Sequence, residues 1–156
     1  MPKFATQTSV SVEKSRAEIE SILSKYGARE FGYFSGEKQA VIVFSTKTRQ
    51  VQFKIPLPSR DAFRVTPSRR RVRSADSQHQ AWEQACRQRW RALVLAIKAK
   101  LEAVECGIST FEQEFLAHII DPATGKTVGE ELTPMIEERY SNPGLTHRPL
   151  ALPSPD

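Results

Sequence analysis

SQHQAWEQACRQRWRALVLAIKAKLEAVE, residues 77–105, holds both tryptophans of the chain and its cleanest repeat. Trp82, Cys86, Trp90, Leu93, Ile97, Leu101 and Val104 recur in steps of three or four, the spacing that winds one apolar stripe along a helix. A helix of this length needs a surface on which to lay that stripe, and the residues upstream offer one. Residues 31–34 are aromatic-rich, Ser35 and Gly36 make a turn, and residues 40–44 form an almost unbroken apolar run suited to a central strand. Val51, Phe53 and Ile55 alternate with Gln50, Gln52 and Lys54, the period of a half-buried strand, and Pro56 and Pro58 end it.

Further out, residues 12–26 read as an amphipathic helix with Ile19, Ile22, Leu23 and Tyr26 on one face and Gly27 as its stop. Ser15 followed by Glu18 fits a capping box at its start. Residues 57–76 have no apolar period and are expected to be a basic loop. Thr110 opens a second helix with Phe111, Phe115, Leu116 and Ile119 as its apolar face. Asp121, Pro122 and Gly125 turn the chain between arms at residues 119–120 and 127–128. A last helix, residues 130–140, is expected to bury Leu132, Met135 and Ile136. The expected fold class is α+β: an N-terminal helix, a three-stranded antiparallel sheet, a long amphipathic helix packed on it with Trp82 and Trp90 as anchors, then short C-terminal helices. Residues 1–140 form one expected domain and residues 141–156 a proline-rich extended tail.

With 156 residues, 39% apolar and 26% charged, the chain is long enough to bury a core without disulfide or metal staples. It has no apolar run approaching the roughly 20 residues of a membrane span, and residues 1–10 lack the pattern of a signal peptide. The expected compartment is therefore the cytoplasm, with no membrane partner. Cys86 and Cys106 lie at opposite ends of the long helix and are expected to be reduced, buried thiols.

The net charge of +5 is unevenly spread. Residues 57–100 carry eleven Lys/Arg against three Asp/Glu, and residues 101–156 carry three against ten. Of those eleven cations nine are arginines, which suit bidentate phosphate contact. Arg69, Arg70, Arg71 and Arg73 precede the long helix, and Arg87, Arg91 and Lys98 fall within about 40° of one another on it, away from the apolar stripe. These seven residues are the candidate nucleic-acid contacts, to DNA or RNA through the phosphate backbone and without sequence preference. Two bland alternatives compete: a solvated face with Glu83–Arg87 and Lys98–Glu102 pairs, or acidic C-terminal helices covering the basic face. A protein partner, or a second copy meeting basic with acidic surface, is the other functional class.

Motifs of catalysis are thin. ATGKT at residues 123–127 lacks the first glycine of a phosphate loop and follows a helix, so it reads as a turn around Gly125. His79, His118 and His147 are scattered, with Glu114 and His118 as the nearest approach to a metal or proton pair. No enzyme activity, cofactor or metal is expected.

The order helix, three strands, helix is similar to that of double-stranded-RNA-binding domains, although the Lys-rich start of their second helix is displaced here into a long loop. Over most of the chain, SRAEIESILSKYGA at residues 15–28, FKIPLP at 53–58, WEQACRQRWRALVLAIKAKLEAVECG at 82–107 and STFEQEFLAHI at 109–119 resemble a family of small uncharacterised proteins of bacteriophages and prophages. That resemblance implies a bacterial host cytoplasm and a role in phage DNA metabolism or in interference with a host protein. It carries no functional residues with it.

Overall fold

A computed structural model describes Ala5 and residues 7–145. Its elements run α1 (Val12–Lys25), β1 (Glu30–Ser35), β2 (Gln39–Ser45), β3 (Gln50–Pro56), a 3-10 turn at Arg60–Phe63, α2 (Ala75–Glu105), α3 (Phe111–Phe115), a second 3-10 turn at Leu116–His118 and α4 (Val128–Ser141). The fold is α+β as the apolar periods require. The part of the expected tail beyond residue 145 lies outside the described residues.

The sheet is antiparallel in the order β1-β2-β3. Its register sets Phe31 beside Phe44 and Phe44 beside Val51, then Tyr33 beside Ile42 and Ile42 beside Phe53. Because side chains alternate across a strand, this register gathers Ala40, Ile42, Phe44, Val51, Phe53 and Ile55 on one face, and all six are buried. Onto that face α1 lays Ile19 and Leu23, and α2 lays Trp90, Val94, Ile97 and Leu101. Phe115 closes the end of the layer, meeting Phe44 and Phe53 edge-on at 6.5 and 6.1 Å between ring centroids. The hairpin arms after α3 form as read: Ile120 bridges Thr127, and Ile119 bridges Val51 at the open edge of β3.

Several expectations need correction. The start of α1 is capped by Ser11, whose Oγ accepts from Lys14 N at 3.1 Å. Ser15 lies inside the helix, fully buried, with no hydrogen-bond partner for its Oγ among the described residues. Glu18 does not turn back to the helix start because it reaches across to α2. Trp82 does not join sheet to helix: it is half-buried and its Nε1 donates to Pro58 O at 2.8 Å, so it pins the segment after β3. Val94, absent from the stripe read above, is fully buried, and Val104 is only half-buried. The stripe therefore runs Cys86, Trp90, Val94, Ile97, Leu101. Cys106 is exposed, unlike Cys86. Glu83 pairs with His79, not with Arg87. His118 stacks on Phe53 at 4.1 Å while Glu114 pairs with Lys100, so Glu114 and His118 do not act together. Residues 130–140 are helical, but α4 buries none of Leu132, Met135 or Ile136.

Candidate nucleic-acid interface

Residues 57–76 are a built structure and not an open loop. The 3-10 turn is capped by Ser59, whose Oγ accepts from Asp61 N at 3.3 Å. Trp82 then holds it from α2: the indole donates to Pro58 O, and the Arg60 guanidinium sits 4.5 Å over the ring. From the same helix Gln78 Nε2 donates to Arg60 O at 2.8 Å.

Beyond the turn, residues 64–73 fold back as a hairpin. Thr66 N donates to Arg71 O and Arg73 N to Arg64 O, each at 2.9 Å, on either side of a Val65–Val72 bridge. Pro67, whose ring presets a turn conformation, stands just inside it. Thr66 closes the tip, its O accepting from Arg70 N at 3.0 Å and its Oγ1 from Arg71 N at 3.1 Å. Arg70 takes φ +46, the single non-glycine residue of positive φ among those described. That conformation costs about 1 kcal/mol for a residue with a Cβ.

The sequence-predicted cations now separate into two groups. Arg73 is structural, its Nη1 donating to Phe63 O at 3.0 Å and Val65 O at 3.3 Å across the base of the hairpin. Arg69, Arg70 and Arg71 are exposed, and among the described residues no carboxylate forms an ion pair with them or with Arg64. Arg64 had no signal of its own in the sequence; it belongs here because the hairpin returns Arg73 beside it. Residues 60–73 thus present six arginines and one aspartate on a short ribbon.

The helix face is different. Arg91 Nη1 and Lys98 Nζ both reach Glu18 of α1, each at 2.5 Å. Those hydrogen bonds, from Lys98 first and then Arg91, hold the Glu18 carboxyl below its ordinary range against the opposing effect of burial. Arg87 donates to Gln84 Oε1 through Nη2 at 2.6 Å and Nε at 3.1 Å. Two of the three cations of this row therefore tie α1 to α2. The acid opposite them comes from the first helix, not from the acidic C-terminal third.

Elsewhere, burial pushes the Cys86 thiol up, and burial followed by the Lys100 charge pushes the His118 imidazole down. Among the described residues no group of His, Cys, Asp and Glu could hold a metal ion, and no helix is long and apolar enough to cross a membrane. No protein family, curated protein or solved structure matches this chain.

Proposed function

We propose that this chain is a non-enzymatic nucleic-acid-binding accessory protein that grips the phosphate backbone through the hairpin of residues 64–73. One observation carries the reading: four arginines, Arg64, Arg69, Arg70 and Arg71, sit on a braced ribbon with no ion-pair partner among the described residues. A two-stranded ribbon is an element that a nucleic-acid groove admits, and guanidinium groups bind phosphate bidentately. Arg73 and Trp82 act as positioning residues, one bracing the base and the other the approach. Arg87 adds charge nearby on α2, whereas Arg91 and Lys98 contribute only by leaving Glu18.

The strain at Arg70 supports this reading. Glycine would sit at φ +46 without cost, so an arginine there places a cation at the tip at the expense of stability. Fluorescence anisotropy with labelled duplex DNA, single-stranded DNA and duplex RNA at two salt concentrations tests the proposal. Binding that weakens steeply with salt and differs little between sequences is expected. Absent or salt-insensitive binding overturns it.

A further inference from the structure

The acidic end of the molecule presents a second surface, where α4 leaves large apolar side chains exposed. Helix α4 is anchored at its start. Thr127 and Glu130 form a capping box, Lys54 pairs with Glu130, and Gly129 lies so close to the second 3-10 turn that a Cβ there would stand 2.8 Å from Ala117 O. Past that turn the helix buries no residue, and it carries Pro134, which has no N–H to donate. A helix of 14 residues with such a defect is marginal unless its apolar face is covered. Leu132, Met135 and Ile136 are nevertheless 44–46% exposed, and Leu116 is 50% exposed. Leu116, Leu132 and Ile136 line a groove of about 500 Å³ between α4 and the turn before it.

Charge selects what fills this groove. Helix α4 carries four glutamates and one cation, Arg139. Among the described residues Glu137 and Glu138 form no ion pair, while the Lys100 at the rim is taken by Glu114 at 3.7 Å. The occupant should be apolar at its centre and basic around it. The hairpin has that composition. Val65 and Val72 form the non-hydrogen-bonded pair of the ribbon, so their side chains stand side by side on one face, 40% and 73% exposed and flanked by arginines. It cannot reach the groove of its own chain. The hairpin joins α2 at Ala75, the groove lies beside Lys100, and 25 residues of unbroken helix hold them roughly 37 Å apart.

We propose that the hairpin of one copy docks in the α4 groove of a second copy, Val65 and Val72 against Leu132 and Ile136 and the arginines against Glu137 and Glu138. Such a contact is heterologous, so it propagates head to tail into a ring or an open chain. It draws on the same hairpin arginines as the nucleic-acid reading and would compete with it, but its test contains no nucleic acid, so the two fail separately.

Light scattering on nucleic-acid-free protein should show a mass above 17.6 kDa that grows with concentration in low salt and falls to the monomer in high salt. Two variants make the test specific. Arg69→Glu/Arg70→Glu/Arg71→Glu spoils the hairpin and Leu132→Lys/Ile136→Lys spoils the groove; circular dichroism checks that each keeps the helical content of the parent. Each should be monomeric alone, and the two mixed should form a 1:1 dimer of twice 17.6 kDa that grows no further. A parent chain that stays monomeric in low salt overturns the proposal. So does a hairpin variant that still self-associates, which would mean that groove meets groove, and so does a mixture that gives no dimer.

Discussion

Replacing Arg69, Arg70 and Arg71 together by alanine removes three of the four hairpin guanidinium groups that have no ion-pair partner among the described residues. Each phosphate neutralised on duplex DNA contributes about −0.9 to the slope of log affinity against log salt. Four contacts give a parental slope near −3.6, which is a loss of about 150-fold in affinity between 50 and 200 mM salt. The triple variant keeps Arg64 alone on the ribbon, so its slope should be about −0.9 and its loss over the same range only about 3.5-fold. Stability should barely change, because all three side chains are exposed and alanine at φ +46 is no better placed than arginine. Anisotropy titrations at four salt concentrations, with thermal melts of both proteins, measure the two quantities separately. If the triple variant retained the parental slope while melting normally, the hairpin would not be the contact surface.

Four other outcomes follow from particular residues. Trp90→Ala should cost about 3 to 5 kcal/mol by emptying a site that is 4% exposed, whereas Trp82→Ala should leave the core intact and weaken nucleic-acid binding by loosening residues 58–63; denaturant melts and anisotropy distinguish them. Arg70→Gly should stabilise the fold by about 1 kcal/mol and reduce the salt slope by about 0.9, opposite signs that a melt and a titration on one protein reveal. Glu18 has a folded pKa below its unfolded one, so its stabilisation is present above the unfolded value and is lost as pH falls through the folded value. Glu18→Gln should therefore lower stability at neutral pH, by about 1 kcal/mol for so partly exposed a pair, and flatten the acid side of the profile when melts are recorded from pH 7 down to pH 2. Ser15→Ala should raise the melting temperature, since it removes a buried hydroxyl that has no partner among the described residues and improves helix propensity; a lower melting temperature would show that the hydroxyl is satisfied.

Where one face of an element is buried and the other wet, its identity was legible in the residues. The alternation of Val51, Phe53 and Ile55 placed β3, and the three-and-four spacing around Trp90 placed α2, because burial writes a period into the chain. Gly27 and Thr110 marked a helix stop and start through local backbone chemistry alone. Position along a stripe was less legible. Val94 and Leu93 are adjacent, and which of them is fully buried depends on how α2 lies against the rest of the core, a tertiary fact. The same holds for Ser11 against Ser15: both offer a hydroxyl, and α1 begins at the one whose backbone is extended.

The basic segment shows why a site is harder to read than a fold. As composition, residues 57–76 and the row Arg87, Arg91, Lys98 looked alike, two clusters of cations facing solvent. Whether a cation is available depends on what stands within about 4 Å of it, and the partner of Arg91 and Lys98 lies 73 and 80 residues away in the sequence. No local pattern announces Glu18. The hairpin did leave a local trace, in two valines bracketing a Thr-Pro-Ser turn, but a single bridged pair is too short to impose a period. The two clusters differ in structure: one locks α1 to α2, and the other is braced by Trp82 and Arg73 and leaves Arg64, Arg69, Arg70 and Arg71 without an ion pair among the described residues. Both proposals rest on this contrast: arginines on a braced ribbon without an ion pair among the described residues, and an acidic helix with exposed apolar residues beyond the far end of α2.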